Sequence, residues 1–382
     1  MRLWPFRGRR APVVASAEDL IFTEDLLRRG IDDVFTVRER QIRGGIIVFR
    51  GELRVPPAPA LEALLARFRP VGFTPFLKSE GGEIVLQAWP LADVRERSGV
   101  GLNVVLFALT CVSTLFAGTY FAGSPLFDAL RGSSSMVHLL SGVPFAFTLL
   151  AILGVHEFGH YFTARHYRAS VSLPYFIPAP PPIFLFGTMG AIIRMRSPAT
   201  NRNVLFDIAA AGPLAGLLIA VPAILLGLGW SSIVPAPPGG HLVFGDSLLL
   251  RGLMYLRWGN VPDGMMVFTH PIADAAWAGL FVTAVNLFPV GQLDGGRIAY
   301  ALFGRHHRTV GMATVAGLVL MGAWTWSANW FVWAALIVLL IGFHHSPPLD
   351  DVTPLSPGRR VTGVLCLLLL VLLIPPVPIG VG

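Results

Sequence analysis

Two histidines and a glutamate stand inside an apolar run, AILGVHEFGHYFTARHYR, residues 151–168. On a helix, residues four apart share one face, so His156 and His160 direct their imidazoles at a common point. Neutral imidazole suits zinc, and two protein ligands leave room for a third and for water. Glu157 is turned about 100° from His156 around the helix, where it can take a proton from water at the metal without ligating it. Bound zinc lowers the pKa of its water towards ~7, the condition for hydrolysis near neutral pH. A charged residue within an apolar helix costs roughly 2.5–3.5 kcal/mol even on the lenient insertion scale, which argues against a chance placement.

The elements that must hold this cluster are membrane helices. The chain is 54% apolar and 13% charged, with a mean hydropathy of +0.65, the composition of an integral membrane protein. Eight of its nine glutamates lie at or before Glu96, and the ninth is Glu157. That split divides the chain into a soluble N-terminal domain, residues 1–100, and a membrane domain, 101–382. A span needs ~20 apolar residues, and the candidates are 101–122, 143–165, 204–229, 267–290, 309–326, 328–343 and, more weakly, 361–379. Ten arginines fall in one alternate set of connections (Arg165 to Arg202, Arg297 to Arg308, Arg359 and Arg360) against three in the other set (Arg131, Arg251 and Arg257). This positive-inside pattern puts the N-terminus in the cytoplasm. It also accounts for the net charge of +7 without nucleic acid, since no basic run is interleaved with aromatics. Cys111 and Cys366 sit in apolar segments, which excludes a disulfide framework and a cysteine metal site. The expected fold is a polytopic α-helical membrane protein of about six to seven transmembrane helices with a small α+β cytoplasmic domain.

Topology narrows the choice of third ligand. His156, Glu157 and His160 fall in the last turns of an inward-running span, and AVNLFPVGQLDGGR, residues 284–297, ends another at the same depth. Among the acidic residues beyond the histidines, Asp246 and Asp263 belong to an outside loop, and Asp350 and Asp351 to a solvated one. Asp207 reads as a helix-terminus charge, and Asp274 as a partner of His270. Asp294 remains; Pro289 and Gly291 break the helix before it and Gly295-Gly296 loosen the chain after it. Irregular backbone at membrane depth is tolerated where it lines an enclosed polar cavity.

HEFGH followed by NLFPVGQLDGG resembles the site-2 protease family of intramembrane zinc metalloproteases. LPYFIPAP, GTMGAIIRM, FDIAAAGPLAG and VGQLDGGRIAYALFGR resemble it too, in order, over roughly residues 143–305, the expected metalloprotease core. By position, the resemblance implies that His156, His160 and Asp294 bind Zn2+, that Glu157 is the general base, and that Asn286 helps to stabilise the oxyanion. It further implies a transmembrane protein as substrate, cleaved in or near its span. In the front domain, IIVFRGELR is similar to an element of the plant plastid and cyanobacterial-type members, with Glu52 where asparagine is usual. The outside loop, 230–266, is too short for a PDZ domain, and the N-terminus shows neither a secretory nor a transit pattern, so a bacterial cytoplasmic membrane is the expected setting.

The front domain itself has helical spacing at 58–70 and strands at 46–55, FTPFLK and EIVLQAWPL, with a turn at Gly81-Gly82 and no catalytic constellation. GTMGAIIRMR, 187–196, is β-prone; its edge could hold an unwound substrate as an added strand, and a lid or packing hairpin is an equal reading. Gly212 and Gly216 have the small-xxx-small spacing of closely packed helices, and packing is the preferred role. Two other classes of function stand against the protease: a transporter, which would spread polar residues through several spans, and an inactive scaffold of the same fold.

Overall fold

A computed structural model describes residues 17–91, 99–123, 139–181, 184–236 and 242–381. They fall into two compact units. The first combines the described part of residues 1–97 with Arg196–Leu205 and Ser346–Pro357. It opens with α1 (Ala17–Arg29) and β1 (Phe35–Arg43), both unanticipated, and continues with β2 (Ile46–Leu53), α2 (Pro57–Phe68), β3 (Phe73–Glu80) and β4 (Glu83–Pro90). The strands form an antiparallel sheet in the order β1-β2-β4-β3. Alternation along them turns Ile47, Phe49, Leu77 and Leu86 onto Leu64 and Phe68 of α2, all fully buried. The element containing Glu52 proves to be strand-pairing chemistry. A side chain at Gly51 would meet the Thr36 carbonyl oxygen at 1.8 Å, where β1 bulges between Val37 and Glu39. Glu52 then pairs with Arg38 at 2.7 Å, and Arg54 Nε donates to Thr36 Oγ1 at 2.8 Å.

Two distant segments complete this unit. Leu349 is 3% exposed within its core. The Leu77 amide donates to the Leu349 carbonyl at 2.7 Å, and the Asp351 amide to the Leu77 carbonyl at 2.9 Å. Residues 349–350 in turn donate to Ala199 and Thr200, so the edge beyond β3 is covered by chain rather than left open. The expectation that Asp350 and Asp351 are solvated is therefore wrong: they are 1% and 8% exposed. Asp350 accepts from the Val352 and Thr353 amides, and Asp351 accepts from Arg202 Nε at 2.7 Å. Buried carboxylates are tolerated because their oxygens are satisfied in this way.

The second unit is mostly helical. It contains α3 (Val100–Phe121), α4 (Val143–His166), β5 (Tyr175–Pro178), β6 (Thr188–Ile192) and, from Phe206 onward, α5 (Arg202–Gly229). There follow β7 (Ser232–Pro235), β8 (Leu242–Phe244), α6 (Leu248–Trp258), β9 (Met265–Phe268), α7 (Pro271–Asn286), α8 (Asp294–Phe303), α9 (His307–Thr325), α10 (Ala328–Leu336), α11 (Pro357–Leu373) and β10 (Ile379–Val381). Helices α3, α4 and α5 are long and apolar enough to cross a membrane. Every other expected span coincides with a helix, but α7 and α11 have 16 and 17 residues, and α10 is extended by a π turn, Ile337–Ile341. Beyond α11, the chain past Pro375 and Pro376 pairs as β10 with β8 instead of continuing the helix.

Asp207 is more than a helix-terminus charge. Its carboxylate accepts from Arg359 Nε at 2.7 Å and Nη2 at 2.6 Å, and from the Tyr167 hydroxyl, which joins the ends of α4, α5 and α11. Asp274 also departs from expectation: it accepts from Thr269 Oγ1, while His270 caps α7 by accepting from the Ile272 amide.

Candidate active site

The HEFGH segment lies within α4, 10 residues or fewer from its last residue, His166, and thus within about 15 Å of its end at 1.5 Å per residue. His156, Glu157 and His160 are 3%, 6% and 4% exposed. Asp294 opens α8, directly after the turn that ends α7. That turn is folded tightly. Gly291 takes φ +53°, and added side chains at Gly295 and Gly296 would meet the carbonyl oxygens of Leu287 and Val290 at 1.9 and 2.4 Å. The glycine pair thus lets the first turn of α8 tuck beneath the end of α7, and so brings Asp294 to the histidines.

The three groups converge on one point. His160 Nε2 lies 3.2 Å from His156 Nε2 and 3.1 Å from Asp294 Oδ2, and His156 Nε2 lies 3.3 Å from the same oxygen. Zinc with ligand distances of about 2.0–2.1 Å has tetrahedral edges of about 3.3 Å, so this triangle has the dimensions of three corners of a zinc tetrahedron. Among the described residues it is the only such group of three or more potential ligands. His160 Nδ1 lies 2.6 Å from the Ile208 carbonyl oxygen. That oxygen only accepts, so the proton sits on Nδ1 and Nε2 is free for the metal.

Helix α5 carries support whose packing, but not whose partners, the sequence announced. A side chain at Gly212 would meet His160 Nε2 at 2.1 Å, and one at Gly216 would meet His156 Cβ and Nδ1 at 3.3 Å. A side chain at Gly159 would in turn meet the Ala211 carbonyl oxygen at 2.7 Å. The spacing did signal close packing, and the groups packed there are the two histidine rings themselves. The Ile208 carbonyl left no signal in sequence, since backbone acceptors have none.

Glu157 receives a backbone hydrogen bond from Ile193, just past β6. This strand pairs with β5, with further backbone pairing at Ser172 and Arg194, and so borders the site. Asn286, the last residue of α7, places Nδ2 3.5 Å from His156 Nε2. All five residues singled out from sequence (His156, Glu157, His160, Asn286 and Asp294) are thus gathered in one place.

Comparison with known proteins agrees with this chemistry. Residues 144–325 match Peptidase family M50. The chain is 31% identical to a probable zinc metalloprotease EGY2, chloroplastic, of Oryza sativa subsp. indica, over 98% of this chain and 70% of that one. It is 30% identical to the Arabidopsis thaliana protein of the same name, over 93% of this chain and 65% of that one. A probable zinc metallopeptidase EGY3, chloroplastic, of Arabidopsis thaliana is 28% identical over 89% of this chain and 63% of that one. The chain thus spans about two thirds of the length of the curated relatives it matches. No solved structure matches it. With a zinc-shaped triad, two of whose members lie on a span-length helix, and similarity along nearly its whole length to zinc metalloproteases, this chain belongs to peptidase family M50, the site-2 protease family.

Proposed function

We propose that the chain is a zinc-dependent intramembrane endopeptidase that hydrolyses a peptide bond in or near a transmembrane segment of a membrane-protein substrate and releases a fragment on the cytoplasmic side. The observation that carries this reading is the buried His156–His160–Asp294 triangle with Glu157 beside it on a span-length helix. Zinc held there supplies the Lewis acidity that makes water a nucleophile near neutral pH. Ile208 fixes the tautomer of His160, and Gly212 and Gly216 seat both rings. Glu157 takes the proton from the attacking water and returns it to the leaving amide nitrogen. The Asn286 amide donates to the carbonyl oxygen as charge builds on it.

In the same reading six to seven helices span the bilayer, with the N-terminus on the arginine-rich side, and the partners are lipid and a transmembrane protein, not nucleic acid. The setting is a bacterial cytoplasmic membrane or a plastid membrane; the curated relatives are named chloroplastic. The test is metal content and cleavage together. Purified protein should hold about one zinc, and His156→Ala and Asp294→Ala should lose it. Glu157→Gln should keep zinc while cleaving 10²–10⁴-fold more slowly, roughly the worth of a general base. Wild-type protein that binds no zinc when metal is supplied, or Glu157→Gln protein that cleaves normally, would sink the reading.

A further inference from the structure

Arg297 makes no ion pair among the described residues, at a place where that is costly. It lies on α8 three residues beyond Asp294, and so on the same helix face. The guanidinium is partly buried in the membrane-domain unit. Its one hydrogen-bond partner among the described residues is a weak acceptor, the thioether sulfur of Met195, which Nη1 reaches at 3.5 Å. Asp207, in the same unit, is taken by Arg359. Met195 lies three residues past β6, the strand that borders the site. A guanidinium carries five donors in a rigid fork and stays charged at any working pH. An arginine without an ion pair among the described residues, beside a hydrolytic site and in surroundings that penalise an unpaired cation, is matched to an acceptor that arrives with the substrate.

We propose that Arg297 is a substrate-binding residue whose unspent donors hold a backbone carbonyl oxygen of the extended substrate next to the scissile bond. The acceptor class follows from the setting. A transmembrane segment offers few anionic side chains, but once unwound it exposes peptide carbonyls that have lost their helical partners, and these need donors at that depth. Arg297 would supply a charge-assisted one from beside Met195, just past β6.

This inference rests on the protease reading, and the experiment separates the two. Two zinc-seeking probes are titrated into the zinc-loaded full chain in detergent: acetohydroxamate, which has no peptide backbone, and a tetraleucine hydroxamate, which extends one past the metal. Arg297→Ala should weaken the peptide probe about 10–100-fold, the usual loss for a hydrogen bond to a charged group, and leave acetohydroxamate and zinc content unchanged. Arg297→Lys should recover part of the loss, since it keeps charge but not the fork. Equal weakening of both probes, which would mark a structural role, or no weakening of either, would overturn the proposal. If wild-type protein binds neither probe, the protease reading fails and this one with it.

Discussion

Adding one methyl group at Gly212 should disable the metal site while leaving the fold standing. Its Cβ would lie 2.1 Å from His160 Nε2, against an ordinary contact of about 3.5 Å, so the ring or the helix must give by roughly 1.4 Å. The helix has little room, because Gly159 already packs on the Ala211 carbonyl immediately beside this contact. The ring can move only by abandoning the Ile208 carbonyl, at 2.6 Å. Metal–ligand distances tolerate about ±0.2 Å, and loss of a supporting contact alone costs 10–100-fold in affinity. Displacing a ligand should therefore weaken zinc at least ~100-fold, about 2.8 kcal/mol at 1.4 kcal/mol per decade. Overpacking should cost the metal-free protein ~1–3 kcal/mol, offset in part by the higher helix propensity of alanine, about 1 kcal/mol. Gly216→Ala is the matched control. Its closest contact, 3.3 Å to His156, asks for a shift of a few tenths of an ångström, and zinc affinity should fall by less than ~10-fold. Competition against a chelator of known affinity in detergent reads both variants, with thermal unfolding of the metal-free forms alongside. Gly212→Ala protein that holds zinc within threefold of wild type would refute the steric argument. So would a Gly216→Ala loss as large as that of Gly212→Ala.

Other consequences are direct. Leu349→Ala should destabilise the N-terminal unit by ~2–5 kcal/mol, although it lies far along the chain, because its side chain is 3% exposed in that core; limited proteolysis of the first hundred residues would reveal the change, and unaltered resistance would contradict it. Gly51→Ala should injure the same unit by ~2 kcal/mol or more through the Thr36 carbonyl, whereas Glu52→Gln, which touches a half-exposed ion pair, should change stability by less than ~1 kcal/mol. Asp207→Asn should lower the thermal midpoint through loss of the bidentate Arg359 contact, worth about 1 kcal/mol after allowance for its exposure, and should leave zinc content intact.

Much of the site was legible because its information is local. The i, i+4 histidines are read from helix geometry alone, and their depth from span length and arginine count. Asp294 could be singled out because charge is so scarce in this half of the chain that elimination leaves few candidates. The front-domain helix at 57–68 and three of its four strands followed from period and turn residues. What escaped was whatever depends on which face meets which. The spacing of Gly212 and Gly216 announced a close approach but not that His160 and His156 fill it. A Pro-Pro pair before Asp350 and Asp351 read as exposed loop, and the structure buries both beside β3. The charge of Asp207 was visible, but not that Tyr167 and Arg359 converge on it from 40 and 152 residues away.

The amino-acid sequence by itself determined the chemistry on offer: a zinc-type histidine pair, one base, one depth-matched carboxylate, and helices long enough to hold them in a membrane. Those properties reside in residue type and in periods of two to four residues, which the backbone enforces wherever the chain goes. Only the tertiary structure decided that the histidines rest on glycines of α5, that a loop some 270 residues downstream of β3 closes the N-terminal sheet, and that Arg297 meets Met195 and no counter-ion among the described residues. Each is a contact between segments whose separation leaves no periodic trace, chosen by steric fit and by the need to satisfy buried polar groups.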